Sequence, residues 1–185
     1  MNIPNFLTIL RLFMVPAFIL AYLHGGNGRF LAAGLFVLAG LTDVLDGYLA
    51  RKLNQITDFG KLADPAADKL MQLSALLCLC IARRLPLWIL LVYAVKEVLQ
   101  VLGGLRLLNI RKYVVYSKWS GKIASVLLFV VITVIIMTTE QQIPLSAATW
   151  MMVICLIATV IAFFDYVSMY INIRDARHPK DQRRP

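Results

Sequence analysis

The chain has 185 residues, 60% of them hydrophobic and only 16% charged, yet its formal net charge is +9. A water-soluble domain of this size could not cover so much apolar surface. The same apolar content excludes disorder, and 10 Gly, 7 Pro and 3 Cys exclude a collagen-like or disulfide-stapled secreted fold. What remains is a small all-α, polytopic integral membrane protein.

A bilayer crossing takes about 20 mostly apolar residues, and polar breaks divide the chain into six such runs. The first, 5–23, starts almost at Met1 and ends on Leu23-His24-Gly25-Gly26, a turn and not a small-residue cleavage site. It is expected to be a retained helix with a kink at Pro16. The second, 29–50, closes on Asp43, Asp46, Gly47 and Ala50. A short loop leads into the third, 61–82, which opens with Asp64, Pro65 and Asp68 and carries Cys78 and Cys80. The fourth, 86–107, holds Lys96 and Glu97. The fifth and sixth, 119–138 and 147–171, follow a basic stretch and include Cys155 and Asp165. The three cysteines all lie in apolar runs, where reduced thiols are expected. No stretch is left for a soluble domain, so 1–185 reads as one transmembrane domain.

Six crossings put both termini on one side of the membrane. With the termini cytoplasmic, the inner segments hold thirteen basic residues: Arg51, Lys52, Lys61, Arg106, Arg111, Lys112, Lys118, Lys122, Arg174, Arg177, Lys180, Arg183 and Arg184. The outer segments then hold only Arg29, Arg83 and Arg84, a bias that fits the positive-inside rule. The Arg83-Arg84 pair is the one dissenting feature. The basic tail suits orientation and attraction to anionic lipid headgroups, and no nucleic-acid motif is present.

The chain has ten Asp and Glu, and four of them, Asp43, Asp46, Asp64 and Asp68, fall within a short interval. Carboxylates inside hydrophobic helices are expensive, so they are functional candidates by default. Asp43 and Asp46 are spaced i, i+3, and Gly47, Ala50 and Arg51 fall on much the same face. Asp64 and Asp68 are i, i+4 at the start of the next span, so the two pairs can face each other across one helix interface. Four clustered carboxylates repel unless cations neutralise them. Hard oxygen ligands without His or Cys select Mg²⁺, Mn²⁺ or Ca²⁺, and two ions suit four carboxylates. Gly47 and Ala50 leave room for a bulky anion, and Arg51 offers a forked phosphate contact.

These residues read Asp43-x-x-Asp46-Gly47-x-x-Ala50-Arg51, then eight residues, then Gly60-x-x-x-Asp64-x-x-x-Asp68. The pattern resembles the signature of the CDP-alcohol phosphotransferase (CDP-alcohol phosphatidyltransferase) family at every defining position. The opening segment Pro4-Asn5-x-x-Thr8-x-x-Arg11 is similar to that of bacterial phosphatidylglycerophosphate synthases, which implies nucleotide contacts for Asn5 and Thr8; helix capping at the membrane surface is the plainer alternative. The resemblance implies that Asp43, Asp46 and Asp64 ligate two Mg²⁺ or Mn²⁺ ions. Gly47, Ala50, Arg51 and Gly60 would then line the CDP and phosphate site. Asp68 would take the proton from the acceptor hydroxyl, or serve as a further ligand. It also implies a homodimer acting on CDP-diacylglycerol at the cytoplasmic face of the cell membrane.

For the acceptor, the resemblance favours glycerol 3-phosphate, with phosphatidylglycerophosphate and CMP as products. Arg106, Arg111, Lys112 and Lys122 are the candidate acceptor contacts, although positive-inside anchoring explains Arg111 and Lys112 equally well. Two departures bear on this assignment. Gly121-Lys122-Ile123-Ala124-Ser125 lacks the second Lys and the Thr of the synthases' Gly-Lys-x-Lys-Thr stretch, and Lys96-Glu97 replaces their Arg-Glu. Lys96 and Glu97, as sequence neighbours, are expected on different helix faces, where interhelical pairing is as reasonable as substrate contact. Phosphatidylglycerol, as in a cardiolipin synthase, or another headgroup alcohol is the alternative acceptor. A divalent-cation transporter is a remote alternative, since the carboxylates sit at helix ends and the second half carries no answering acidic pair.

Overall fold

The computed structural model describes residues 3–52, 58–110 and 119–175, with side chains described for 7–46, 52, 66–103, 121–165, 167 and 168. All the described secondary structure is helical: α1 (Ile3–Leu23), α2 (Gly28–Lys52), α3 (Asp58–Ile81), α4 (Leu87–Ile110), α5 (Trp119–Met137) and α6 (Leu145–Asp175). Each helix coincides with one of the six apolar runs to within a few residues. Helix α1 continues through Pro16, so the proline does not end it.

The breaks follow from local chemistry. Gly25 and Gly26 take φ of 67° and 52° between α1 and α2, a left-handed conformation that only glycine adopts without steric penalty. Pro86 and Pro144 directly precede α4 and α6, where a missing N–H costs nothing. Helix α3 ends differently. The Arg84 N–H donates to Leu79 O and the Arg83 N–H to Cys80 O, the paired bonds of a Schellman cap. The left-handed position of that cap is occupied by Arg83, at φ 56°.

Helix α1 packs on α2 and α3, α5 on α2 and α6, and α4 on α3 and α6. Phe18, Phe36, Leu76, Leu79, Ile132 and Met152 form the centre of the core, and Phe36 stacks on Phe129 with ring centroids 4.9 Å apart. The outward faces are also apolar: Phe13 is 71% exposed, Val44 70% and Trp150 68%. The charged and polar side chains Arg11, Asp46, Gln72 and Glu97 are buried instead. Thr133, Thr138, Thr149 and Thr159 turn their hydroxyls back onto carbonyls of their own helices, which satisfies them without water. Apolar outside and polar inside is the distribution a lipid solvent requires. By length and composition, Gly28–Asp46 and Leu145–Asp165 are long and apolar enough to cross a membrane. Cys78 and Cys155 are buried, Cys80 is half-buried, and all three are free thiols.

Candidate active site

Arg11 organises the polar interior. It stands one turn beyond Thr8 on α1, and both side chains are fully buried, Arg11 to 1% exposure. Its Nη1 donates to Asp43 Oδ1 at 2.7 Å, and its Nη2 donates to Asp46 Oδ2. The i, i+3 spacing on α2 presents both carboxylates to the planar guanidinium fork, a match that a point-charge ammonium could not reproduce. Asp46 is buried, whereas the Asp43 side chain is 40% exposed. Asp43 thus keeps an oxygen-donor group at the exposed edge of the pair.

Asp68 approaches from α3. It lines the same narrow cavity as Arg11, together with Phe36, Gly40, Gln72 and Phe129, and among the described residues the charges of Lys69, Asp43, Arg11 and Glu97 act on it. Gln72, one turn further along α3, donates from Nε2 to both Asp68 oxygens, at 3.2 and 3.1 Å. The hydroxyl of Tyr93, on α4, donates to Gln72 Oε1. The direction of this chain follows from chemistry: an ionised carboxylate only accepts, so the Gln72 amide nitrogen must face Asp68 and its oxygen must face Tyr93. Gln72 is 4% exposed and Tyr93 not at all, so no solvent competes for these bonds.

A second polar set adjoins the first. Glu97 accepts from Lys69 of α3 at 3.1 Å and from Lys96 of α4 at 2.6 Å, and the Lys96 ammonium lies 5.3 Å from the Tyr93 ring centre. The expected interhelical pairing of Glu97 is therefore present. The separation of Lys96 from Glu97 is not: the long Lys96 stem bends back, so consecutive residues share one ion pair.

The structure thus brings Asp43, Asp46 and Asp68 to the same end of the α1–α3 interior. The side chains of Asn5, Gly47, Ala50, Arg51, Gly60, Asp64 and Arg106 lie outside the described set, although these residues belong to the helices, and Arg111 and Lys112 lie outside the described residues altogether. Lys122 is exposed on α5, beside a groove walled by Ile123, Val126, Leu127 and Val130; it does not line the Arg11–Asp68 cavity. Among the described residues, no three His, Cys, Asp or Glu side chains converge closely enough to hold a metal ion. The donors described are carboxylate oxygens, the type suited to Mg²⁺ or Mn²⁺.

Sequence reasoning missed the roles of Arg11, Gln72 and Tyr93. Arg11 is the one charged residue in the first apolar run, and an intramembrane cation demands a partner. Gln72 stands at i+4 from Asp68, within reach along the helix. Nothing in the sequence pairs Tyr93 with either.

The sequence profile described as CDP-alcohol phosphatidyltransferase matches residues 1–164. A probable phosphatidylglycerophosphate synthase of Mycobacterium tuberculosis is 36% identical over 171 residues, covering 90% of this chain and 80% of that protein. The CDP-diacylglycerol–glycerol-3-phosphate 3-phosphatidyltransferase of Rickettsia felis is 55% identical over 71 residues, 38% of this chain and 39% of that protein. The protein of the same name from Pseudomonas fluorescens is 51% identical over 80 residues, 43% of this chain and 41% of its own length.

Proposed function

The chain belongs to the CDP-alcohol phosphatidyltransferase family, and from that membership we propose that it transfers the phosphatidyl group of CDP-diacylglycerol to glycerol 3-phosphate, forming phosphatidylglycerophosphate and releasing CMP. The observation that carries this reading is the position of Asp43, Asp46 and Asp68. Arg11 joins the first two and shares a cavity with the third, all within the matched segment. The names of the relatives support the acceptor.

In this reading the acceptor hydroxyl oxygen attacks the phosphorus attached to diacylglycerol, its proton passes to the Asp68 carboxylate, and the bond from that phosphorus to the CMP oxygen breaks. Gln72 presents Asp68 to the hydroxyl in a fixed plane. Asp43, Asp46, Asp64 and Asp68 would hold two Mg²⁺ or Mn²⁺ ions, which when bound neutralise the pyrophosphate and the developing charge. Asn5, Thr8, Gly47, Ala50, Arg51 and Gly60 form the CDP and phosphate site. Thr8 lies one turn from Arg11 on α1, on the face that supplies the buried guanidinium.

All six helices cross the cell membrane, with both termini and the carboxylates at the cytoplasmic side, and the enzyme works as a homodimer among anionic lipids. The exposed apolar side chains on the outward helix faces support the membrane placement, and the distribution of basic residues supports the orientation.

The test is purified protein incubated with labelled CDP-diacylglycerol and Mg²⁺ or Mn²⁺, offered glycerol 3-phosphate, phosphatidylglycerol, inositol or an amino alcohol, with CMP release followed. Release dependent on glycerol 3-phosphate is the expected result. Release with phosphatidylglycerol alone would make it a cardiolipin synthase, and no acceptor-dependent CMP with either metal would overturn the enzyme reading.

A further inference from the structure

Only three basic residues, Arg29, Arg83 and Arg84, stand against the positive-inside pattern, and two of them face one cavity. Arg29 and Arg84 line an open cavity of about 470 Å³, together with Tyr22, Asn27, Thr138 and Glu140 among others. The cavity sits where the C-terminal ends of α1, α3 and α5 meet the start of α2. Arg29 is fourteen residues from Asp43 on α2, about 21 Å at 1.5 Å per residue, so this cavity lies at the end of the bundle opposite the carboxylates.

The guanidinium groups in it are incompletely satisfied. Nε and Nη1 of Arg84 and Nε of Arg29 are buried from solvent without a hydrogen-bond partner, while Arg84 Nη2 donates to Thr138 Oγ1 at 3.4 Å. Buried donors on a charged group are rarely left unmatched. Two guanidinium groups against the single carboxylate of Glu140 also leave the cavity electropositive. The backbone that delivers Arg84 is held in an unfavourable form: a Schellman cap with Arg83, not glycine, at the left-handed position. That conformation turns the chain so that Arg84, and not Arg83, enters the cavity.

We infer that this cavity is a second, non-catalytic anion site that takes a phosphate group between Arg29 and Arg84. A guanidinium fork matches the tetrahedral oxyanion, and the Thr138 hydroxyl, which accepts from Arg84 Nη2, helps to place that fork. The phosphate belongs either to the headgroup of an anionic phospholipid in the leaflet away from the carboxylates or to a free phosphate ion.

Native mass spectrometry of the full-length protein from nanodiscs separates the sources. The expected result is retention of phosphatidylglycerol at least tenfold above phosphatidylcholine. The R29Q/R84Q double variant is expected to lose that preference, while R83Q, whose side chain lies outside the cavity, keeps it. Inorganic phosphate added to lipid-free, detergent-solubilised protein supplies the other arm: a rise in thermal midpoint in the wild type but not in R29Q/R84Q assigns the site to the free ion. CMP release by the variants reports that the bundle is folded. If R29Q/R84Q does not fold, R84K decides: it keeps the charge without the fork and is expected to retain several-fold less of whichever probe the wild type binds. Absence of binding of either probe by the wild type, or wild-type binding by R29Q/R84Q or R84K, overturns the inference.

Discussion

The Gln72 amide nitrogen sits 3.2 and 3.1 Å from the two oxygens of Asp68, and this single side chain sets the plane of the carboxylate. Replacing Gln72 by Leu removes a donor to a charged group, an interaction of roughly 1.5–3 kcal/mol. If its loss is felt in the transition state, kcat for CMP release should fall by about one to two powers of ten, with KM for CDP-diacylglycerol little changed. Tyr93→Phe leaves the amide free to flip, and its smaller loss, about 1 kcal/mol, corresponds to roughly fivefold in kcat. Steady-state kinetics on both variants check this; a raised KM at unchanged kcat would place Gln72 in ground-state binding.

Arg11 is the positive charge between Asp43 and Asp46, and removing it takes a buried counter-charge from both carboxylates. Arg11→Met should destabilise the bundle by about 3–5 kcal/mol in the presence of a chelator, the usual cost of breaking a buried pair. Divalent cations bound by the same carboxylates should recover part of the loss. Thermal midpoints measured with EDTA and with Mn²⁺ test this directly: a deficit of equal size in both conditions would show that no cation replaces the guanidinium.

The six helices were legible because each is an apolar run bounded by turn residues or charge, and the common facing of Asp43 and Asp46 because an i, i+3 spacing puts both on one side of α2. Arg11 was legible only as a motif position. Its pairing with Asp43 and Asp46 spans more than thirty residues and depends on the angle at which α1 crosses α2. Tyr93 was not legible at all, since an aromatic residue in an apolar helix reads as core until the neighbouring helix places Gln72 beside its hydroxyl. The Lys96–Glu97 contact failed for a different reason: facing rules describe Cβ directions, and a four-carbon stem can reverse them.

Asp43 and Asp68 should separate on mutation. Asp43→Asn is expected to raise the Mg²⁺ or Mn²⁺ concentration needed for half-maximal activity, because a ligand charge is lost. Asp68→Asn is expected chiefly to lower kcat, because the amide cannot take the acceptor proton. Metal titrations of both variants provide the comparison, and equal shifts in metal dependence would make Asp68 another ligand.

Glu97 holds two ammonium groups, Lys69 at 3.1 Å and Lys96 at 2.6 Å. Glu97→Gln removes the carboxylate to which both half-buried cations donate and should cost about 3 kcal/mol of stability. Adding Lys96→Met removes one of the stranded charges, so the double variant should be more stable than Glu97→Gln alone. That non-additivity is the expected signature of a shared network. Thermal unfolding of the two single variants and the double variant would expose simple additivity, which would mean that the three residues do not act together.

Gly40 tests how closely the core and the site are joined. A Cβ there would lie 2.5 Å from Phe129 Cε2 and 2.6 Å from Cζ, too close for either atom to stay in place, and Phe129 is itself stacked on Phe36. Gly40, Phe36 and Phe129 all line the cavity that holds Arg11 and Asp68, so relief of the clash must move a wall of the site. Overpacking of this kind costs about 1–3 kcal/mol, partly offset by the better helix propensity of alanine. Gly40→Ala should therefore lower the thermal midpoint and also reduce kcat. Phe129→Leu in the Gly40→Ala background opens the space that the methyl group needs, and is expected to recover part of both losses. Stability restored without any recovery of kcat would show that the ring packing supports the helices but does not shape the site.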